Sequence, residues 1–577
     1  ARLDVLYNGE NKRVEFKHNL LSNAMAESCF NYAVNEGDYL GLMKTVWIEH
    51  NSELFDIKRV RHAIDELKTF DEEMNLSFSA WEKIWEKIDI QIEGDRLTQK
   101  MIRLHLYHLL AGTSPHNEHI DFGIPARGLT GEAYRGHIFW DELYILPVYF
   151  VQYPEVAKSI LMYRYRRLQK ARDYAKEFGF KGAMFPWQSG SDGSEETQQY
   201  HYNPLSGDWG DDYSSLQRHV SLAIAYNIIQ YFHFSKDVEF MNEAGMEMLY
   251  EIARFWESKC TWNAQTSRYS IDKVMGPDEF HESYPNTHEG GIKDNAYTNL
   301  MTVWMFNKIE EIHQKLDASV LETIASKIDF KNSELAHWKD IATKMNLVIS
   351  DEGIVAQYDG YFELKELDWD YYRQKFGNIH RMDRVLKADG KSPDDYKVAK
   401  QADTLMLYYN LSNKNVTDLI HHLGYQVPED YVSKNFEYYL QRTSHGSTLS
   451  RVVHSYLAQQ IGREDLSWEM FQQAITSDYN DIQGGTTAEG IHTGVMAGTV
   501  WIIYAAFAGI DFSGDILEIN PKVPKHWKKL SFAMDFKGVN YKFKITEQII
   551  EIQSNMDVDI KVNGKVLELK KGVGRVV

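Results

Sequence analysis

Apolar positions along this chain change their spacing twice. In residues 1–50 they alternate in part, in Leu3-Asp-Val-Leu-Tyr7, Arg13-Val-Glu-Phe-Lys17 and Leu42-Met-Lys-Thr-Val-Trp-Ile48. Alternation predicts strands, and Asn8-Gly9 predicts a turn. So few strands do not make a stable sheet alone, so they read as the end of a larger sheet domain. Residues 51–95 predict linker helices, ending at Glu93-Gly-Asp95. From 96 to 510 the spacing is helical. Leu161, Tyr165 and Leu168 mark one helix face, with Gly179 as a stop. Val220 to Phe234 is apolar nearly all round, as a helix walled in by others is. Further helices are predicted over 238–258, 294–314, 335–347, 397–411, 449–461, 465–475 and 493–508. Joined by Gly-rich and aromatic loops, they suggest a closed toroid of helical hairpins in two layers. From 511 to 577 alternation returns, in Leu530–Phe536, Val539–Ile545 and Ile549–Ile552, and Asn563-Gly564 reads as a hairpin turn. The predicted fold is mainly α, with a strand-rich start and a small C-terminal β domain.

Composition narrows the partners. With 577 residues and 43% hydrophobic, the chain can bury a large core. No apolar run is long enough to span a bilayer, so no membrane partner is expected. A net charge of −20 argues against nucleic acid and anionic membrane surfaces, though local donors can still focus a small anion. The 13% aromatic content suits sugar stacking and core packing alike. Two cysteines, Cys29 and Cys260, support neither a disulfide framework nor a cysteine-rich zinc site. The 22 histidines show no ligand spacing, so no metal is expected. The chain opens on Ala1-Arg-Leu-Asp, with no Met and no signal peptide. A cytoplasmic location is expected, and a periplasmic one stays open because the native N-terminus is not in view.

Candidate chemistry lies in loops between the apolar helices. Glu279 sits in Val274-Met-Gly-Pro-Asp-Glu-Phe280, and Glu489 in Thr486-Thr-Ala-Glu-Gly-Ile-His492. Two carboxylates on loops over a helical scaffold can protonate a leaving group and steer a nucleophile, the minimal equipment for cutting a glycosidic bond. Either alone would pass for an ordinary loop carboxylate. Other chemistry-rich loops are Pro125–Asp141, Phe185–Asp192, Ala399–Asp403 and Arg442–Ser450. Each has a plain reading: Trp140 as packing, Lys400 as a solvated helix-end cation, Ser447 or Thr448 as the cap of a helix starting at Leu449. Their joint occurrence shifts the odds.

The motifs Arg135-Gly-His-Ile-Phe-Trp-Asp141, Gly276-Pro-Asp-Glu-Phe280, Asp294-Asn-Ala-Tyr-Thr-Asn299, Lys400-Gln-Ala-Asp403 and Glu489-Gly-Ile-His492 resemble those of glycoside hydrolase family 65. That family holds α-glucoside phosphorylases and a few hydrolases. The resemblance implies a β-sandwich, linker helices, an (alpha/alpha)6 barrel and a C-terminal β piece. Against that layout, most of the N-terminal sandwich is missing from this chain. By the resemblance, Glu279 matches the general acid, with Asp278 its rival in sequence. Trp140, Asp141, Lys400 and Gln401 match residues that hold the glucosyl unit. Ser447, Thr448 and His492 match the phosphate site of the phosphorylases.

The implied reaction is inverting phosphorolysis of a glucose disaccharide or oligosaccharide, giving β-glucose 1-phosphate. No cofactor is implied beyond inorganic phosphate as co-substrate, and homodimers are common in the family. The alternative is an inverting α-glucosidase with Glu489 as the base that activates water. A carboxylate beside bound phosphate would repel it, so phosphorolysis needs Glu489 turned away or protonated. A non-catalytic sugar-binding protein would not need Glu279. The linkage cleaved depends on acceptor-side loops, for which 187–215 and 280–293 are the candidates.

Overall fold

The computed structural model describes residues 2–12, 18–22, 25–47, 56–287, 289–482 and 487–576. It divides into two compact units, Ala1–Lys87 and Ile88–Val577. In the first, strands Glu10–Lys12, Arg2–Tyr7 and Leu40–Thr45 form an antiparallel sheet in that order. The turn at Asn8-Gly9 is made with positive φ at both residues, 51° and 84°. The strand expected over Arg13–Lys17 lies outside the described residues. His18–Ser22 and Met25–Cys29 pair as a hairpin, and helix Ile57–Asp65 follows.

The second unit is mainly helical. Six helices, counted among the described residues, pack in sequence on one another: α1 Glu142–Gln152, α2 Val220–Ser235, α3 Ala296–His313, α4 Asp403–His422, α5 Leu449–Gln460 and α6 Thr493–Ile502. α6 packs back on α1 and closes the ring. A second set lies against them: Arg96–Gly112 on α6, Pro154–Arg166 on α1 and α2, Met246–Lys259 on α2 and α3. Asn332–Lys344 lies on α3, Tyr431–Leu440 on α4 and α5, and Glu464–Ile475 on α5 and α6. Ring helices α1, α2 and α6 are apolar nearly all round because they are walled in by others; every residue of α1 is buried.

Three expected elements differ. The face marked by Leu161 and Leu168 is split between two helices, because Arg167 leaves helical geometry at φ −103°, ψ 8°. The helix expected over 397–411 begins only at Asp403, because Ala402 takes a left-handed φ of 59°. Gln91–Glu93, read as part of the linker, is a strand that pairs with Lys529–Ser531.

That strand edges a five-stranded sheet with Lys529–Phe536, Val539–Ile545, Ile550–Ser554 and Arg575–Val576. Burial alternates residue by residue along Lys529–Phe536, the mark of a strand with one face on a core. A second sheet holds the hairpin Val558–Val562 and Lys565–Leu569, turned at Asn563-Gly564 with φ 47° and 79°. No described helix is long and apolar enough to cross a membrane.

Candidate active site

All six ring helices begin at one end, and the site residues read from the sequence stand at those beginnings. Trp140 and Asp141 precede α1, Lys400 and Gln401 precede α4, Ser447 and Thr448 precede α5, and His492 precedes α6. Contacts tie the starts together. The ring of Trp140 lies 4.9 Å from that of His219, which precedes α2. His219 lies 6.2 Å from Tyr297 of α3. Asn295, the N-cap of α3, donates Nδ2–H to Asp403 Oδ2 at 2.5 Å. The Gly446 N–H donates to Lys400 O at 3.1 Å. A Cβ on Gly494 of α6 would stand 3.1 Å from Asp141 Oδ1, 3.3 Å from Leu449 Cδ2 and 3.5 Å from His492 Cε1. Helix N-termini carry unpaired N–H groups and a partial positive charge, so this end of the ring favours anions within an acidic chain.

Glu279 is buried, only 7% exposed. Its carboxylate accepts main-chain N–H groups of Lys400 at 2.7 Å and of Gln401 and Asp403 at 3.2 Å each. These donors are free because Lys400–Ala402 is not helical. They favour the anion. Burial, and then the Asp403 charge, act the other way and win, so the Glu279 pKa is raised above the usual carboxylate range. Asp403 is itself raised by burial while three side chains and a main-chain N–H hold it: Asn295, Gln357 at 2.9 Å, and Thr404 through both its hydroxyl and its N–H at 2.6 Å. Gly276 is obligatory here, since a Cβ would stand 2.1 Å from Asp403 Oδ2. Asp278, the neighbour in sequence, is instead ion-paired with the Lys400 ammonium.

The Tyr144 hydroxyl feels both the Asp278 and Asp141 carboxylates, which places the Glu279 side and the Trp140 side of the site within electrostatic reach of one residue. Several buried polar atoms have no hydrogen-bond partner among the described residues, and Asp141 Oδ1, Gln401 Oε1 and His492 Nδ1 are three of them. His492 Nε2 lies 3.1 Å from Asp141 Oδ1, off the line of a hydrogen bond. Gln401 is held from its other end, Nε2 to Pro277 O at 2.7 Å. Ser447 Oγ accepts the Leu449 N–H at 3.3 Å, so it does cap α5, while Thr448 at the N-cap position makes no such bond.

Glu489 stands differently. It closes a short 3-10 turn, Thr487–Glu489; residues 483–486 of its loop lie outside the described set. Its side chain is 55% exposed, and Oε2 lies 3.9 Å from Arg127 Nη2. Arg127 also donates to Gly490 O at 2.9 Å. The two loops meet backbone to backbone: a Cβ on Gly131 would stand 2.2 Å from Glu489 O.

Sequence reading gave no role to Asp403, Asn295 or His219. Asp403 and Asn295 lie in the motifs Lys400-Gln-Ala-Asp403 and Asp294-Asn-Ala-Tyr-Thr-Asn299, and His219 immediately precedes the apolar helix α2; their contacts are tertiary. Among the described residues no group of His, Cys, Asp or Glu could hold a metal ion.

Comparison with known proteins agrees with this layout. The glycosyl hydrolase family 65 central catalytic domain matches residues 103–501, and the C-terminal domain of the same family matches 510–569. A trehalose 6-phosphate phosphorylase of Lactococcus lactis subsp. lactis is 44% identical over 85% of this chain and 63% of its own length. A kojibiose phosphorylase of Caldanaerobacter subterraneus subsp. tengcongensis is 32% identical over 87% of this chain and 62% of its own. The chain thus spans less than two thirds of these relatives. A solved structure, provisionally named a kojibiose phosphorylase from human microbiome, superposes with a TM-score of 0.76 at 25% identity, covering 98% of this chain and 80% of that one. The chain belongs to glycosyl hydrolase family 65.

Proposed function

We propose that this chain cleaves an α-glucosidic bond in a glucose disaccharide or oligosaccharide by inverting phosphorolysis. The ring of six helices and its outer set form the (alpha/alpha)6 barrel, over about 96–510. Residues 1–50 are the end of a β-sandwich, 51–95 the linker and 511–577 the C-terminal domain.

The observation that carries the reading is the set of unpartnered buried atoms at one mouth. Buried polar groups are normally paired, so Gln401 Oε1 and His492 Nδ1, which lack a hydrogen bond, and Asp141 Oδ1, which has only the His492 imidazole beside it, are set to bond a polar ligand. Trp140, Asp141, Lys400 and Gln401 hold the glucosyl unit. Ser447, Thr448 and His492, at the starts of α5 and α6, hold phosphate with hydroxyl, imidazole and helix N–H groups. A phosphate oxygen attacks the anomeric carbon while the bond to the leaving oxygen breaks. Glu279, kept protonated near neutrality by burial and by Asp403, gives that oxygen its proton. Attack from the opposite face turns the α linkage into β-glucose 1-phosphate.

The contrast between the two carboxylates supports phosphate over water as nucleophile. Glu279 is buried, whereas Glu489 is more than half exposed and turned toward Arg127. A base that must activate water needs a fixed place across the sugar from the acid. Relatives named as phosphorylases, of trehalose 6-phosphate, kojibiose, 1,2-alpha-glucosylglycerol and alpha,alpha-trehalose, support the same choice. An NMR time course in orthophosphate buffer tests the stereochemistry: the first sugar phosphate formed should be the β anomer, and an α anomer would contradict inversion.

A further inference from the structure

The ring has a second end. Its six helices begin at the candidate active site, and a cavity of about 610 Å³ lies among their later turns. Every ring helix gives it a wall: Phe150 of α1, Gln230 of α2, Trp304 of α3, Tyr409 of α4, Tyr456 of α5 and Trp501 of α6. Residues 509–513, where the C-terminal domain begins, complete the lining. The volume falls within the ~300–1,000 Å³ usual for ligand pockets.

A thin partition separates this cavity from the mouth. The Tyr144 ring of α1 lies 5.6 Å from Trp140, at the mouth, and 5.5 Å from Tyr409, at the cavity. Tyr297 of α3 bridges in the same way: its ring is 6.2 Å from His219, and its hydroxyl donates to Asn410 Oδ1 at 3.3 Å. Asn410 lines the cavity. None of the residues given a role toward sugar, phosphate or proton lines it.

The wall combines flat rings with unspent polar groups. The Tyr226 and Trp304 rings lie 5.4 Å apart, those of Tyr409 and Tyr456 5.3 Å apart, and Trp501 stacks on Phe512 at 5.0 Å. Tyr409 is only 8% exposed, yet its hydroxyl has no hydrogen-bond partner among the described residues. Nor, among those residues, do the indole N–H groups of Trp304 and Trp501 or the side-chain amides of Gln230 and Asn415. An apolar guest would cover the rings and leave these groups unpaired, at a cost in free energy. A sugar satisfies both, with C–H faces on the rings and hydroxyls on the amides and on Tyr409. An anion suits this end poorly, because the helices finish here and their C-termini carry unpaired carbonyls and a partial negative charge. Lys236 and Lys315, just past the ends of α2 and α3, answer that charge, and Lys308 is paired with Glu311 at 2.8 Å.

We propose that this cavity is a second carbohydrate site, which takes a neutral saccharide at the end of the ring opposite the reaction. Calorimetry with maltotriose tests it, on the whole chain carrying Glu279→Gln in phosphate-free buffer to suppress turnover. Maltotriose should bind, and binding should survive Asp141→Asn, a change at the mouth. Tyr409→Phe should weaken it about tenfold, because a sugar hydroxyl loses its partner, and Gln230→Ala should do the same. Tyr409→Phe should leave the melting temperature unchanged or higher, since the empty chain loses no bond. Neither change should alter kcat or KM for the disaccharide in the otherwise wild-type enzyme. Absent binding, binding lost in Asp141→Asn, or binding unchanged in both Tyr409→Phe and Gln230→Ala overturns the proposal. So does a matching rise in KM, which would put the effect at the mouth. Tighter binding of indole or of glucuronate than of maltotriose also overturns it, since the guest would then be apolar or anionic. Because binding is read, the outcome does not depend on which nucleophile the mouth uses.

Discussion

Asp403 acts on Glu279 in two opposed ways. Its main-chain N–H donates to Glu279 Oε1 at 3.2 Å, which favours the anion, while its carboxylate adds to burial, the larger cause, in raising the Glu279 pKa. The same residue thus helps to grip the acid and, with burial, to keep it protonated.

The pH profile follows from that sign. The working form of Glu279 is protonated, so kcat/KM should fall as pH rises through a pKa above the ordinary Glu value. Asp403→Asn removes the negative neighbour and should move this basic limb to lower pH. The new amide also meets the donors of Asn295 and Gln357, so stability should drop by about 1–3 kcal/mol. A basic limb that stays in place in a folded Asp403→Asn enzyme would separate the two carboxylates.

Glu279→Gln should cost roughly 10²–10⁴-fold in turnover of natural disaccharides while leaving glucose binding intact. Steady-state kinetics beside a glucose titration checks both halves. Asp278→Asn should act mainly through Lys400, its ion-pair partner, and lose less. A reversed order would pass the role of acid to Asp278.

Much of the candidate site was legible because its residues sit where apolar helices begin, and those beginnings show in the sequence. Val220–Phe234 declared a walled-in helix, and Trp140, Thr448 and His492 each fall just before such a stretch. What was hidden is tertiary. The Asp403–Glu279 bond joins residues 124 positions apart, and nothing in the motif Lys400-Gln-Ala-Asp403 signals it. The stretch 397–402 reads as helix by composition. Ala399 bridges Thr443 instead and Ala402 is left-handed, so the N–H groups that hold Glu279 stay free. The short hairpins Tyr200–Asp211 and Cys260–Ile271 were missed because their polar, turn-rich sequences lack sustained alternation.

Gly276→Ala probes the same grip from the other side. Its Cβ would be driven into Asp403 Oδ2, with Asn295 Nδ2 also 2.9 Å away. Both atoms belong to a buried, fully bonded pair, so relaxation is costly. The variant should lose about 1–3 kcal/mol of stability in denaturant unfolding and shift the basic limb of the pH profile. Wild-type behaviour on both counts would refute the tight approach.

His492→Ala should raise the KM for orthophosphate more than it lowers kcat, by roughly tenfold for one lost charge-assisted bond. Glu489→Gln should change turnover only a few-fold, since its carboxylate faces Arg127 at 3.9 Å. Varying phosphate at saturating disaccharide measures both. Abolished activity in Glu489→Gln with a normal phosphate KM in His492→Ala would exchange their roles.

Product balance with and without orthophosphate tests phosphorolysis most directly. Wild-type chain is incubated with a panel of α-linked glucose disaccharides and their phosphate esters, and glucose and β-glucose 1-phosphate are quantified together. Phosphorolysis predicts β-glucose 1-phosphate in step with bond cleavage, and almost no cleavage when phosphate is left out. Free glucose released at an unchanged rate without phosphate would contradict it and make Glu489 the base for water.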